Sequence, residues 1–189
     1  RRSEKDQTFK LILSDADGGR PQTIFQSSEP ILSPAWSPDG SRVAYMSFRG
    51  KRAGIYVQTL ATGEVQKVSD FPGLNSAPAF SPDGRKLVLT LSRDGNPELY
   101  VANLRTGQLD RMTNHFAIDT EASWSPDGRS ILFTSSRGGK QQLYMMNVSD
   151  KTVKRVTFDG DYNSNGAFTP DGKSIVFVHR TNERFHIAR

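Results

Sequence analysis

The chain has 189 residues, 35% of them hydrophobic, and its 25 Lys and Arg against 20 Asp and Glu leave a formal net charge of +5. The length suffices for one domain with a real core, and the absence of cysteine excludes disulfide frameworks, thiolate metal sites and cysteine nucleophiles. The basic excess is spread along the chain without an arginine-rich helix or an aromatic RNA-binding signature, so no nucleic-acid partner is expected, and no apolar run reaches the length of a membrane span.

Residues 1–7 are charged and polar; they read as a frayed end and carry no apolar h-region of a signal peptide. Residues 8–28 read as half of a repeat, with a strand at 8–13, a turn at Asp15-Ala16-Asp17-Gly18-Gly19 and a second strand at 22–25. From Ser37 the chain then writes one tetrapeptide repeatedly: Ser37-Pro38-Asp39-Gly40, Ser81-Pro82-Asp83-Gly84, Ser125-Pro126-Asp127-Gly128 and, with one change, Thr169-Pro170-Asp171-Gly172. The starts are 44 residues apart. A fixed period of that size marks a repeat architecture and suits a four-stranded propeller blade. The tetrapeptide is a turn by its chemistry: proline presets φ, aspartate tolerates the second central position, and glycine supplies the left-handed exit of a bulged hairpin.

The complete repeats fall at 29–72, 73–116 and 117–160, followed by an incomplete one at 161–189. In each, a short strand (35–37, 79–81, 123–125 and 167–169) leads into the corner. Second strands follow at 42–48, 86–92, 130–135 and 174–179, and third strands at 54–58, 98–103, 142–147 and 185–188. The fourth strands are expected at 65–69, 109–113 and 153–157. Thr62-Gly63 and Thr106-Gly107 turn between the last two strands, while the third repeat has Asp150-Lys151 there. The second strands are apolar on consecutive positions, as in Val43-Ala44-Tyr45-Met46 and Ile131-Leu132-Phe133, so both of their faces must be covered. Stacking between neighbouring blades provides that cover. The fold class expected is therefore all-β, an arc of antiparallel four-stranded propeller blades. Natural propellers close with about four to eight blades. The arc could belong to a longer parent, close by joining its two half-repeats, or pair with a second copy through uncapped blade faces.

Catalytic patterns are missing. No G-x-S-x-G elbow occurs, and His115, His179 and His186 occupy unrelated repeat positions. Asp161-Tyr162-Asn163-Ser164-Asn165-Gly166 opens like a calcium loop, but its twelfth position is Gly172 rather than a bidentate Glu. Asn147-Val148-Ser149 is a formal glycosylation sequon without supporting context. No cofactor, no metal and no enzymatic activity are expected, and a small-molecule or ion site in the channel has no coordinating set to support it. Binding is expected instead at the segments entering the inner strands, which vary from repeat to repeat while the corners do not. They run over 29–34, 73–78, 117–122 and 162–166. Polar candidates for contact there are Glu29, Asp119, Glu121, Asn163 and Asn165. Asp119 and Glu121 stand out because carboxylates at a channel mouth suit a basic or amide-rich partner.

The stretches Glu29-Pro30-Ile31-Leu32-Ser33-Pro34-Ala35-Trp36-Ser37-Pro38-Asp39-Gly40 and Leu74-Asn75-Ser76-Ala77-Pro78-Ala79-Phe80-Ser81-Pro82-Asp83-Gly84 resemble the propeller domain of the TolB family. Asp15-Ala16-Asp17-Gly18 and His186-Ile187-Ala188 continue the likeness in register. The resemblance implies a six-bladed propeller, placed in the periplasm of Gram-negative bacteria within the Tol-Pal envelope system that supports outer-membrane integrity and cell division. It implies the peptidoglycan-associated lipoprotein Pal as partner at the channel mouth, facing Leu74, Asn75, Ser76, Ala77, Thr120 and Glu121, with colicin epitopes entering the same place. This chain has Leu74 and Ser76 where many members carry histidine and glycine. The gating propeller of a prolyl-oligopeptidase-like peptidase is the alternative reading, since its blades look similar.

Overall fold

The computed structural model describes residues 8–189, so the end expected at 1–7 lies outside the described residues. All regular structure there is β. Strands β1 (Phe9–Leu13) and β2 (Gln22–Ser27) pair as a two-stranded sheet. Three four-stranded antiparallel meanders follow. The first blade is β3 (Ile31–Trp36), β4 (Arg42–Ser47), β5 (Gly54–Thr59) and β6 (Val65–Ser69). The second is β7 (Asn75–Phe80), β8 (Lys86–Leu91), β9 (Glu98–Asn103) and β10 (Leu109–Arg111). The third is β11 (Asp119–Trp124), β12 (Ser130–Ser135), β13 (Gln142–Asn147) and β14 (Val153–Arg155). A three-stranded sheet of β15 (Tyr162–Phe168), β16 (Ile175–Thr181) and β17 (Arg184–Ala188) completes the arc. The two partial sheets are separate and do not combine into one blade.

The expected corners form as read. In the second blade the Gly84 N–H donates to the Ser81 carbonyl at 2.8 Å, and Gly84 has φ of +67°. The Ser81 hydroxyl donates to Asp83 Oδ1 at 2.6 Å and accepts the Lys86 N–H at 3.0 Å, while Asp83 Oδ1 also accepts the Arg85 N–H. The same ties recur from Ser37, Ser125 and Thr169. A serine or threonine side chain thus closes the hairpin from inside, where a backbone group would otherwise lack a partner. Lys151 takes φ of +58° at the place of Gly63 and Gly107, so the turn survives the loss of glycine, and its ammonium donates to the Arg111 carbonyl.

The second strands of the three complete blades are buried on both faces, and their alternate residues serve different neighbours, while β16 is only partly covered. Leu87, Leu89 and Leu91 of β8 pack with Ala44, Met46, Ile55 and Val57 of the first blade. Val88 packs with Leu99 and Val101 of its own blade against Ile131, Phe133 and Tyr144 of the third. In β4, Val43 and Tyr45 face Leu11, Ile24 and Phe25 of the first sheet. This is the period-two geometry of a strand expressed as radial stacking.

Two expectations need correction. The inner strands are longer than read and begin where loops were expected, at Ile31, Asn75, Asp119 and Tyr162. Each contains a β-bulge, with register shifts at 32/35, 76/79, 120/123 and 164/167. Ser33, Ala77, Glu121 and Asn165 occupy the left-handed region there, with φ between 48° and 53°. The bulge lets a strand run past Pro34 and Pro78, which lack a ladder donor. The fourth strands of the second and third blades end early, at Arg111 and Arg155. Thr113 and Thr157 turn inward, and their hydroxyls accept the Leu99 and Leu143 N–H groups at 2.9 Å in place of the backbone ladder.

Leu89 is fully buried between blades, so Leu89→Ala should cost about 2–5 kcal/mol, read as a lowered urea midpoint. The corner aspartates carry a pH signature. The Ser37 hydroxyl, followed by the N–H and hydroxyl of Ser41, lowers Asp39 from 3.8 to about 2, and Asp83, Asp127 and Asp171 are lowered by equivalent serine or threonine bonds. A lowered native carboxyl stabilises the fold above its unfolded value and loses that contribution as pH falls through the native one. Thermal stability should therefore drop between about pH 4 and pH 2, and Asp39→Asn should flatten that drop.

Candidate functional site

The bulges converge. Ser33-Pro34, Ala77-Pro78, Glu121-Ala122 and Asn165-Gly166, one pair from each successive inner strand, line a cavity of about 470 Å³ along the inner edge of the arc. A left-handed residue turns its backbone and side chain away from the direction an extended strand would give. Four such residues 44 positions apart therefore present one side chain per blade to the same space. Glu121 is the charged member. Its Oε2 accepts the Thr134 hydroxyl at 2.9 Å and the Asn165 N–H at 3.1 Å across the blade boundary. Its Oε1 has no hydrogen-bond partner among the described residues, and the residue as a whole is half-buried. The Ser123 hydroxyl adds a second tie across the same boundary, to the Gly166 carbonyl at 2.7 Å.

The sequence-predicted residues divide into two groups. Glu29, Leu74 and Asn165 are exposed, and Ser76, Ala77, Thr120 and Glu121 are half-buried at or beside the channel. Asn75, Asp119 and Asn163 are fully buried, which corrects their reading as surface contacts. Each lies at or one residue after the start of an inner strand and secures it. The Asn75 amide brackets Phe71, accepting its N–H at 3.2 Å and donating to its carbonyl at 2.7 Å. Asn163 donates to Gln142 Oε1 and to the Asp159 carbonyl, and its Oδ1 meets His179 Nδ1 at 2.6 Å. Asp119 Oδ2 accepts Arg137 Nη2 at 2.5 Å, while Oδ1 is buried without a partner. Sequence position alone put these residues at the mouth; the direction of the pleat turns them inward.

Antiparallel connectivity sorts the loops onto two faces. The tetrapeptide corners and the turns between third and fourth strands lie at one end of the blades. The remaining connections lie at the other, where the inner strands begin. That loop face carries apolar side chains, of which the sequence analysis singled out Leu74 alone. Phe116 is 87% exposed and Phe158 70%, with Ile118 and Leu74 also exposed. His115 packs on Phe116 at a centroid distance of 4.3 Å, and the Arg155 guanidinium lies 5.1 Å from the Phe158 ring. The detectable signal was an aromatic residue inside a predicted loop, where solvation favours polar types.

Fold and site together define a β-propeller with an open inner channel and an apolar loop face, a scaffold that presents side chains rigidly. The whole chain, residues 1–189, matches the family described as TolB beta propeller domain. The chain belongs to that family. Over 72 residues, 38% of this chain and 17% of the relative, it is 57% identical to the Tol-Pal system protein TolB of Methylococcus capsulatus. The crystal structure of TolB from Acinetobacter baumannii superposes with a TM-score of 0.89 at 47% identity, covering 94% of this chain and 45% of that one. The chain thus spans less than half of that relative's length. A structure of prolyl endopeptidases overlays at a TM-score of 0.64 with 16% identity, a likeness of fold alone.

Burial pushes the Asp119 carboxyl above 3.8, against the pull of the Ser135 hydroxyl and Arg137, with nearby Glu98 raising it further. A raised native carboxyl binds its proton more tightly folded than unfolded, so stability falls as pH rises from 3.8 through the native value. Asp119→Asn, the amide that Asn163 supplies one repeat later, should abolish that slope. Urea midpoints measured against pH for both proteins test this; parallel curves would refute it.

Proposed function

We propose that this chain is the partner-binding propeller of a TolB protein, acting non-catalytically in the Tol-Pal system of the periplasm and holding the peptidoglycan-associated lipoprotein Pal against its loop face. In this reading the interaction supports outer-membrane integrity and cell division, and colicin epitopes exploit the same mouth. Family membership supports the general role. The observation that carries the site is the set of four left-handed bulges facing one channel beneath an apolar rim. Exposed aromatics beside partly desolvated polar groups are the composition of binding hot spots. Phe116, Ile118, Leu74 and Phe158 supply the apolar anchors. Glu121, Thr120, Ser76 and Asn165 supply polar contacts at the channel, and Glu29 lies at the edge. Asn75, Asp119 and Asn163 act beneath the surface by fixing the start of each inner strand.

The mechanism is presentation on a rigid frame. The bulges are tied to their neighbours before any partner arrives, as the Glu121–Asn165 and Ser123–Gly166 bonds illustrate. A partner therefore meets an ordered surface, and less ordering entropy offsets the contact energy. A second reading, self-association, is favoured by exposed Phe185 and Ile187 on β17 and Phe9 and Ile12 on β1, and light scattering at micromolar concentration distinguishes it.

Calorimetric titration of the full protein with purified Pal tests the main reading. Phe116→Ala should weaken binding by roughly thirtyfold, the scale of a hot-spot aromatic at about 2 kcal/mol. The double variant Thr120→Ala, Glu121→Ala should also bind more weakly. Unchanged affinity in both, with thermal unfolding intact, would remove the site from this face.

A further inference from the structure

A second cavity lies on the opposite, corner face. It occupies about 700 Å³ between the first two complete blades, and its walls include Arg42 of β4, Arg85 and Lys86 at the start of β8, and Arg105 in the turn after β9. Asp83 is the single carboxylate among its lining residues. That carboxylate is engaged within its own corner, accepting the Ser81 hydroxyl and the Arg85 N–H. Among the described residues, none of the four cations forms a salt bridge to a carboxylate.

The cations are partly preorganised. Arg42 Nη2 donates to the Gly84 carbonyl at 2.7 Å while its guanidinium lies 5.3 Å from the Phe80 ring, which fixes the group and leaves further N–H donors for the cleft. Asn103 Oδ1 accepts the Arg105 and Thr106 N–H groups, so its amide nitrogen remains a donor at the cavity wall. The repeat supplies an internal control. One period later, Arg42 and Arg85 have the cationic counterparts Lys86 and Arg129, whereas Gln66, Lys86 and Arg105 become Asp110, Ser130 and Ser149. The cavity between the second and third blades is also smaller, about 220 Å³, and walled by Trp124 and Val148. Four cations and ample room are thus combined at one blade boundary, while the next keeps two cations, gains Asp110 and has less space, although the backbone repeats.

We infer that this corner-face cleft is a binding site for a phosphate ester, with Arg42, Arg85, Lys86 and Arg105 as its ligands. Guanidinium forks match the paired oxygens of a phosphate, and the ammonium adds a point charge. The cavity is far larger than the anion, so the phosphate is carried on a polar body such as a sugar or glycerol. That chemistry occurs in soluble sugar phosphates and in phosphorylated lipid headgroups.

The test uses the full protein, with glucose 1-phosphate followed by calorimetry and, separately, phosphatidylcholine vesicles doped with phosphatidic acid followed by sedimentation. Saturable one-to-one binding of glucose 1-phosphate is expected. It should weaken roughly tenfold to a hundredfold in Arg85→Ala, Arg105→Ala, the loss of two charge-assisted contacts. The control Arg129→Ala, Lys173→Ala, which removes corner-face charge elsewhere, should bind as the parent does. Co-sedimentation lost in the Arg85, Arg105 variant alone assigns the headgroup as source. Binding of the soluble ester without co-sedimentation assigns the soluble source. No saturable binding in either arm, or equal loss in both double variants, overturns the site. All four substituted side chains are exposed, and matched thermal unfolding verifies that each variant folds.

Discussion

Two-sided burial of the second strand in every complete blade is the constraint from which the architecture follows. A strand such as Lys86–Leu91 has apolar side chains on both faces of its pleat, and neither face can be left to water. Leu89 and Val88 point in opposite directions, so a sheet must be present on each side of theirs. Sheets that need a neighbour on both faces stack one after another, and strand twist turns the stack around an axis. The inner strands are brought together as a consequence, and the channel exists because they are.

Polar groups inside the stack are arranged to keep this packing in register. Glu98 and Gln142 occupy the same position one repeat apart, and both are fully buried. Glu98 is met by the Thr113 hydroxyl, the His115 N–H and Arg111; Gln142 accepts the Thr157 hydroxyl and Asn163. Each cluster links the third strand, the end of the fourth and the connection to the next blade. A buried polar group without partners is costly, so the loop that satisfies it is held in one place. This is how the loop face gains a fixed shape despite having few regular hydrogen bonds of its own.

The two faces divide their tasks accordingly. The loop face carries apolar side chains held over a channel, which suits a protein partner. The corner face is built from the repeated tetrapeptide, and its chemistry differs only where the side chains beside the corner differ. Lys86 and Arg105, which become Ser130 and Ser149 one repeat later, show how a repeated backbone acquires a local charge from a few substituted positions at one boundary.

Much of the fold was legible in the residues. Recurrence of the Ser-Pro-Asp-Gly corner gave the period, and consecutive apolar positions such as Val43-Ala44-Tyr45 required stacked sheets, because turn chemistry and strand pleat are local properties. The extent of the inner strands was obscured by Pro34 and Pro78, which read as loop until a bulge accommodates them. The TolB resemblance indicated the face on which to look, but only three-dimensional packing decided which candidates reach it. Asn75, Asp119 and Asn163 turn inward while Ala77, Glu121 and Asn165, two residues further on, open to the channel. A left-handed φ at Ala77, Glu121 and Asn165 themselves reverses the alternation that sequence spacing alone would impose, and contacts from the next blade, such as Asn165 on Glu121, support it. The amino-acid sequence by itself therefore determined the repeating sheet and its corners. The tertiary structure decided which side chains open to the channel, because that choice rests on contacts between residues about 44 positions apart.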